Sequence, residues 1–275
     1  MEPKSILLTG CSSGVGYFAA HGLKKRGWRV VAACRKASDC ARLAGEGLDT
    51  VRLDYADTAG IGVALDDVLG RTGGRLDALV NNGGYSQPGA IEDVSTELLR
   101  AQFETNVFGW HELTRRVVPV MRRQGSGRIV NVSSVLGYVS GRFRGAYAGS
   151  KHAIEALSDA LRLELAGSGI DVVLIEPGPI RSRFIDNALA RIEATIDIDA
   201  SVHREAYRKE LGRLAGDDRS SRFRLGPEAV FAKLVDALES PHPKARYRVT
   251  LPAHAAALLK RLLSTRMLDR ILLGQ

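Results

Sequence analysis

Ser134, Tyr147 and Lys151 stand at a spacing that can place a hydroxyl, a phenol and an ammonium around one reacting oxygen. Tyr147 and Lys151 share a helix face if 146–166 is the helix its pattern predicts, because residues i and i+4 lie one above the other. A phenol of pKa about 10 is a weak base at neutral pH, and bringing it near 7 needs roughly 4 kcal/mol of preferential phenolate stabilisation. One ammonium at about 4 Å supplies about that amount at an effective dielectric near 20. The chemistry this suits is proton transfer to or from an alcohol or carbonyl oxygen. A Tyr and a Lys at helical spacing are more often a surface pair, so the elements around them carry the weight of the reading.

Those elements begin at the N-terminus. Ser5-Ile6-Leu7-Leu8 is a short apolar run that leads into Thr9-Gly10-Cys11-Ser12-Ser13-Gly14-Val15-Gly16, and a helical pattern follows through Lys24. This reads as strand, glycine-rich turn and helix. The glycines let the backbone turn sharply and approach a pyrophosphate, whose charge meets the free amides and positive dipole end of the helix. The spacing is a variant of Gly-x-Gly-x-x-Gly. Further apolar runs at 30–33, 51–53, 76–80, 129–132, 172–175 and 247–250 alternate with helical stretches, as in a parallel sheet buried on both faces. The expected fold is therefore α/β: a doubly wound Rossmann-type domain with a seven-stranded, mainly parallel sheet and ligands at the carboxyl ends of its strands. No linker, repeat or low-complexity tract divides the 275 residues, so one domain over 1–275 is expected.

The formal charge of +8 is spread along the chain without aromatic interleaving, which argues against nucleic-acid binding. The first strand starts almost at once, so no secretory leader is expected, and no apolar run reaches the ~18 residues of a membrane span. Cys11, Cys34 and Cys40 lack metal or redox spacing; no metal is expected, and a reducing cytoplasm is the simplest home.

The sequence resembles the short-chain dehydrogenase/reductase family, closely over about 5–182 and loosely beyond. The resemblance is carried by the turn from Thr9 to Gly16, Asp54 after the third strand, Asn81-Asn82-Gly83-Gly84 after the fourth and Asn106 inside a long helix. Asn131-Val132-Ser133-Ser134, the Tyr147/Lys151 pair and Pro177-Gly178-Pro179-Ile180-Arg181-Ser182 complete it in the family's order. The family more often has alanine at Gly83 and threonine at Ser182; the serine keeps the hydroxyl. The resemblance implies that Tyr147 exchanges the proton, Ser134 hydrogen-bonds the carbonyl oxygen, and Lys151 lowers the pKa of Tyr147 and binds the nicotinamide ribose. It further implies that Asn106 positions a water linking Lys151 to solvent, Asp54 touches the adenine amine, Asn81 lies against the adenosine ribose, and the turn at Gly83 lies under the adenosine half. Pro177, Gly178, Ile180 and Ser182 would line the nicotinamide.

The second strand ends at Cys34-Arg35-Lys36. An acidic residue there would bind the ribose hydroxyls, whereas an arginine accepts a 2′-phosphate. Cys34 stands where NAD-preferring relatives carry aspartate, Arg35 can fork onto phosphate oxygens, and Lys36 adds charge. NADP(H) is the expected cofactor.

In the family the segment corresponding to 181–226 covers the substrate. Phe184, Ile185, Leu189, Ile192, Ile196 and Ile198 would favour a small apolar carbonyl or alcohol substrate there. A basic amphipathic helix is expected over 252–273, packed on its own domain or a partner subunit, or lying on an anionic membrane surface. This tail is similar to those of bacterial aldehyde reductases and of hydroxysteroid- or retinol-dehydrogenase-like members. The long helices 97–124 and 146–166 resemble those that pair subunits, so a homodimer or homotetramer is expected. The function expected is NADPH-dependent reduction of an apolar aldehyde or ketone. The alternatives are NADP-dependent oxidation of a hydroxysteroid or retinol, and a non-catalytic NADPH-sensing regulator, which would not need the proton relay.

Overall fold

The computed structural model describes residues 3–215 and 223–273; 216–222, inside the expected lid segment, lie outside the described residues. Seven strands form one sheet: β1 (Ser5–Thr9), β2 (Arg29–Cys34), β3 (Asp49–Arg52), β4 (Ala78–Asn81), β5 (Gly127–Val132), β6 (Ile170–Glu176) and β7 (Arg246–Arg248). Their order is β3-β2-β1-β4-β5-β6-β7 and every pairing is parallel. Side chains alternate across a strand, so Ile6 and Leu8 enter one core and Leu7 the other. The first core is closed by α1 (Gly14–Lys25), α2 (Ala37–Gly45) and α9 (Pro227–Glu239). The second is closed by α3 (Thr58–Arg71), α5 (Gly109–Gln124) and α6 (Gly145–Glu164). Burial on both faces is why these strands read as unbroken apolar runs.

Chain order reverses between β1 and β4, which opens a crevice at their carboxyl ends. The glycine turn follows β1 and Asn82-Gly83 follows β4, so both meet at this point.

Three boundaries differ from the sequence expectation. The helix expected at 97–124 is α4 (Thr96–Phe103), a π-helical turn (Glu104–Phe108) and α5. Asn106 sits in that turn and hydrogen-bonds outside its own helix, an arrangement that favours a local widening. The strand expected at 247–250 stops at Arg248 because Thr250 instead caps the next helix, accepting from the Ala253 amide at 3.3 Å. The tail helix is two helices, α10 (Leu251–Leu262) and α11 (Thr265–Leu273), separated by extended backbone at Leu263. Between β6 and α9 lie α7 (Phe184–Thr195) and α8 (Arg204–Ala215). Ile192 and Ile196 pack with Tyr207 and Ala90 in a small core of their own, with Ile198 against it.

Candidate active site

A cleft of about 810 Å³ runs along the carboxyl ends of the strands. Its inner end holds Ser134, Tyr147 and Lys151, delivered by two elements. Ser134 leaves β5 in extended backbone, and its Oγ accepts the Leu136 amide at 3.1 Å, which starts a short 3₁₀ turn. Tyr147 and Lys151 project from the first two turns of α6, both buried.

Electrostatics depart from the sequence expectation. Burial pushes the Tyr147 phenol up to about 12, with a hydrogen bond to Ser134 and the charge of Arg144 pulling the other way. Burial also pushes Lys151 down to about 7, partly offset by Glu155. The pairing geometry explains why the ammonium does not acidify the phenol here. Lys151 Nζ donates to the Val132 carbonyl at 2.8 Å and lies 4.3 Å from the Trp110 ring centre, against 5.8 Å from that of Tyr147. A cation drawn to the negative face of an indole and itself near neutrality is a weak source of field at the phenol.

Asn106 is fully buried and does not line the cleft. Its Nδ2 donates to the Tyr85 carbonyl at 3.0 Å and to Ser150 Oγ at 3.2 Å, and its Oδ1 accepts the Tyr85 amide at 3.2 Å. Ser150 Oγ donates on to the Tyr147 carbonyl at 2.7 Å. The side chain thus braces the loop after β4 against the first turn of α6.

At the other end, Thr9, Gly10 and Ser12 through Val15 line the cleft. Gly10 has φ +70°, and a Cβ there would stand 2.5 Å from Gly83 Cα. Gly16 is not in the wall; a Cβ on it would collide with the Gly10 carbonyl, so its part is to let α1 approach the turn. Gly83 is also tightly enclosed, since an added Cβ would lie 3.1 Å from the Tyr55 ring. The Tyr55 hydroxyl lies 2.8 Å from both Thr9 Oγ1 and Asn81 Oδ1, with its one proton available to either. Glycine at 83 and tyrosine at 55 are therefore complementary, which accounts for the departure from alanine.

Two further residues expected at the cofactor do not line the cleft. Asn81 is fully buried behind the cleft, where its amide donates to Thr114 Oγ1 and Asn131 Oδ1. Its neighbour Asn82 reaches the wall and donates to the Thr9 carbonyl at 3.0 Å. Asn81 is the last residue of β4 and points into the core, whereas Asn82, the next residue, has left the strand and faces the cleft. Lys36 lies outside the wall as the residue preceding α2, whereas Arg35 lines it and Cys34 is buried in the core. Asp54 lines the cleft with one oxygen on the Ala56 amide, and Pro177, Gly178, Ile180 and Ser182 form the wall facing the glycine turn. Gly14 is so close to that wall that a Cβ would lie 3.3 Å from Ser182 Cβ.

Sequence reasoning overlooked Arg144 and Tyr85, both in the wall. Arg144 precedes Tyr147 by three residues, a spacing visible in the sequence, and pairs with Glu210 of α8 at 3.2 Å. Tyr85 gave no local signal; its ring is covered by the Arg191 guanidinium at 4.3 Å.

A profile of short chain dehydrogenases matches residues 4–192. An oxidoreductase of Escherichia coli K12, YbbO, is 44% identical over 98% of this chain and 94% of its own. The chain belongs to the short-chain dehydrogenase/reductase family. Mouse retinol dehydrogenase 16 is 34% identical over 99% of this chain and 88% of its own. A short-chain dehydrogenase of Burkholderia phymatum, solved in complex with NAD, superposes with a TM-score of 0.78 at 28% identity, covering 95% of this chain and 92% of that one.

A nicotinamide dinucleotide suits the residues present in this family member. The turn packs so closely that Cβ atoms are excluded at Gly10 and Gly16, the first turn of α1 carries no acidic residue, and Ser13 makes no side-chain cap to it. Unclaimed amides at a helix N-terminus suit a pyrophosphate. Among the described residues no helix is long and apolar enough to cross a membrane and no cluster could hold a metal ion.

Proposed function

We propose that this short-chain dehydrogenase/reductase is an NADPH-dependent reductase of an apolar aldehyde or ketone. The observation that carries the reading is the meeting, at one end of the cleft, of the Ser134, Tyr147 and Lys151 groups with the apolar side chains of Phe184 and Ile185. The Phe184 ring stands edge-on to Tyr147 at 5.5 Å. A narrow apolar extension of about 40 Å³ continues between Leu189, Ile192 and Pro88. The apolar part of this wall takes hydrocarbon, with Ser86, Arg144 and Glu210 as its polar exceptions.

Arg35 supports the choice of NADPH. It is the first residue after β2 and lines the cleft, with the Cys34 side chain turned into the core, so that place offers a guanidinium for a 2′-phosphate and no carboxylate for ribose hydroxyls. Bound NADPH would supply the hydride. Thr9 to Val15 would hold its pyrophosphate, Asp54 and Asn82 its adenosine half, and Ile180 and Ser182 its nicotinamide.

The protein's part is to fix and protonate the carbonyl oxygen. Ser134 Oγ, with a lone pair engaged by the Leu136 amide, directs its proton toward that oxygen as negative charge develops. Tyr147 gives its phenolic proton to the same oxygen. The phenol, raised to about 12 by burial, carries its proton at neutral pH, which is the form reduction uses; in the oxidative direction the same oxygen would take the proton back, and reactant concentrations set the direction. Exposed Phe108 and Leu157 on the helices flanking the site would pair subunits in a homodimer or homotetramer.

The test is NADPH oxidation at 340 nm by purified protein across medium-chain aldehydes, retinal, steroid ketones and sugars, repeated with NADH. Turnover of apolar carbonyls with NADPH is the expected result. Tight NADPH binding without turnover of any compound would favour the sensing regulator and overturn the reductase.

A further inference from the structure

The outer surface of α10 is inverted relative to an ordinary surface helix. Ala253 and Ala257 face the core, while Leu251, Leu258 and Leu262 are 67%, 58% and 70% exposed. With Ala255 they fall at i, i+4, i+7 and i+11, so they form one continuous stripe along the side opposite the buried one. On α11, Leu268 is buried while Met267 and Ile271, one turn apart, are exposed. Cations accompany this surface: Arg261 ends α10 beside the stripe, Lys260 is exposed on the other side of that helix, and Arg266 and Arg270 lie one turn apart on α11. None of the four has an ion-pair partner among the described residues, and Asp269 is the one acidic residue of the two helices.

Apolar side chains beside unpaired cations match the chemistry of a bilayer surface, with acyl chains under anionic headgroups. A second copy of the chain is a poor occupant. A twofold interface is built from the same patch on both subunits, so it would set four cations against four. The pair of helices also reaches the cleft, where Leu272 and Leu273 form part of the wall.

We propose that α10 and α11 dock this protein peripherally on an anionic lipid bilayer, with the apolar stripe in the headgroup boundary and the cleft opening beside it. That docking would deliver an apolar carbonyl compound dissolved in the lipid rests on the function proposed above; docking itself does not, and it is measured without substrate.

The experiment is cosedimentation of the full chain with vesicles of mixed phosphatidylcholine and phosphatidylglycerol, against vesicles of phosphatidylcholine alone. Binding to the anionic vesicles should be stronger by roughly tenfold or more and should weaken as salt is raised. Leu258→Glu with Leu262→Glu should abolish it. Because that pair could disturb folding, Arg266→Glu with Arg270→Glu provides a second variant that removes charge from an exposed face and should lower binding at least about tenfold. No sedimentation with either vesicle, equal sedimentation with both, or binding unmoved by both pairs would overturn the proposal. A fall in oligomeric mass by light scattering for Leu258→Glu with Leu262→Glu, without lipid binding by the parent, would also overturn it and assign the stripe to a subunit interface.

Discussion

Lys151 and Glu155 are both buried, one turn apart on α6, yet they belong to centres of opposite electrostatic character. Lys151 has a backbone carbonyl and an indole face for company, and burial leaves it near 7. Glu155 belongs to a network around Glu176, which is buried between Arg246 Nε at 2.9 Å and Arg248 Nε at 3.0 Å. Arg246 also reaches Glu155 at 3.2 Å and Asp159 at 2.6 Å. Burial, reinforced by Glu155, raises Glu176 to about 6, which still leaves it charged at neutral pH. Arg246 is held well above its ordinary value by the carboxylates. Charges compensated from several sides tie β6, β7 and α6 together, whereas sparsely compensated groups keep their protonation free to change. The fold places the first kind behind the site and the second kind in it.

The sharpest way to break this contrast is at the phenol. Tyr147→Phe should lower turnover by about a thousandfold while leaving NADPH affinity unchanged in a fluorescence titration, because it removes a proton donor and little volume. Retained turnover would mean that the poised group lies elsewhere. Glu176→Ala is the counterpart in the compensated centre. Arg248 would lose its ion-pair partner, and stability in urea unfolding should fall by roughly 3 kcal/mol. Turnover should change less than about tenfold, since the side chain touches no reacting atom. An unchanged unfolding midpoint would show that the network holds nothing together.

These two centres also mark what could be read from the sequence. Tyr147 and Lys151 announce themselves because four residues make one helical turn, and Gly10, Gly14 and Gly16 because a strand, a tight turn and a helix follow in sequence. The seven apolar runs located the strands for the same local reason, with errors at ends where caps intervene, as at Thr250. The Glu176 network left no such trace, since its members come from β6, β7 and two turns of α6 and meet only when the sheet forms. Asn81, expected at the cofactor, lies behind the cleft because the side of a strand end that faces the cleft depends on the register β4 takes between β1 and β5, which no local pattern announces. The apolar residues of α7, and Ile196 just after it, could be seen, but not that Phe184 faces the cleft while Ile192 and Ile196 close a small core.

Lys151 gives the comparison a pH axis. Its native pKa is about 7 against an ordinary value of 10.5, so between these the unfolded chain binds a proton that the native protein does not. Native stability gains from this group as pH rises through that window, and the penalty is greatest below pH 7. From pH 7 to pH 9 the gain from this residue is about 2 kcal/mol. Lys151→Met should be more stable than the parent at pH 7 and should lack that increment in urea unfolding at the two pH values. A variant that loses stability at pH 7 would show that the ammonium is compensated after all, and the contrast with Glu176 would collapse.

Arg35 stands outside both centres and should show the smallest effect. It is exposed after β2, where solvent screens its charge, and among the described residues it lacks ion-pair partners like those of Arg246. Its influence on a bound 2′-phosphate comes from hydrogen-bond geometry and a screened attraction. Arg35→Asp should therefore shift preference from NADPH toward NADH by roughly tenfold, read as the ratio of kcat/KM for the two cofactors. Raising the salt concentration should narrow the parent's discrimination, which it would not do for a desolvated pair. A ratio that does not move would make Arg35 a surface charge and leave the choice of cofactor to other residues of the cleft; a shift far beyond tenfold would mean that the adenosine end is as desolvated as the inner end, where Tyr147 and Lys151 lie.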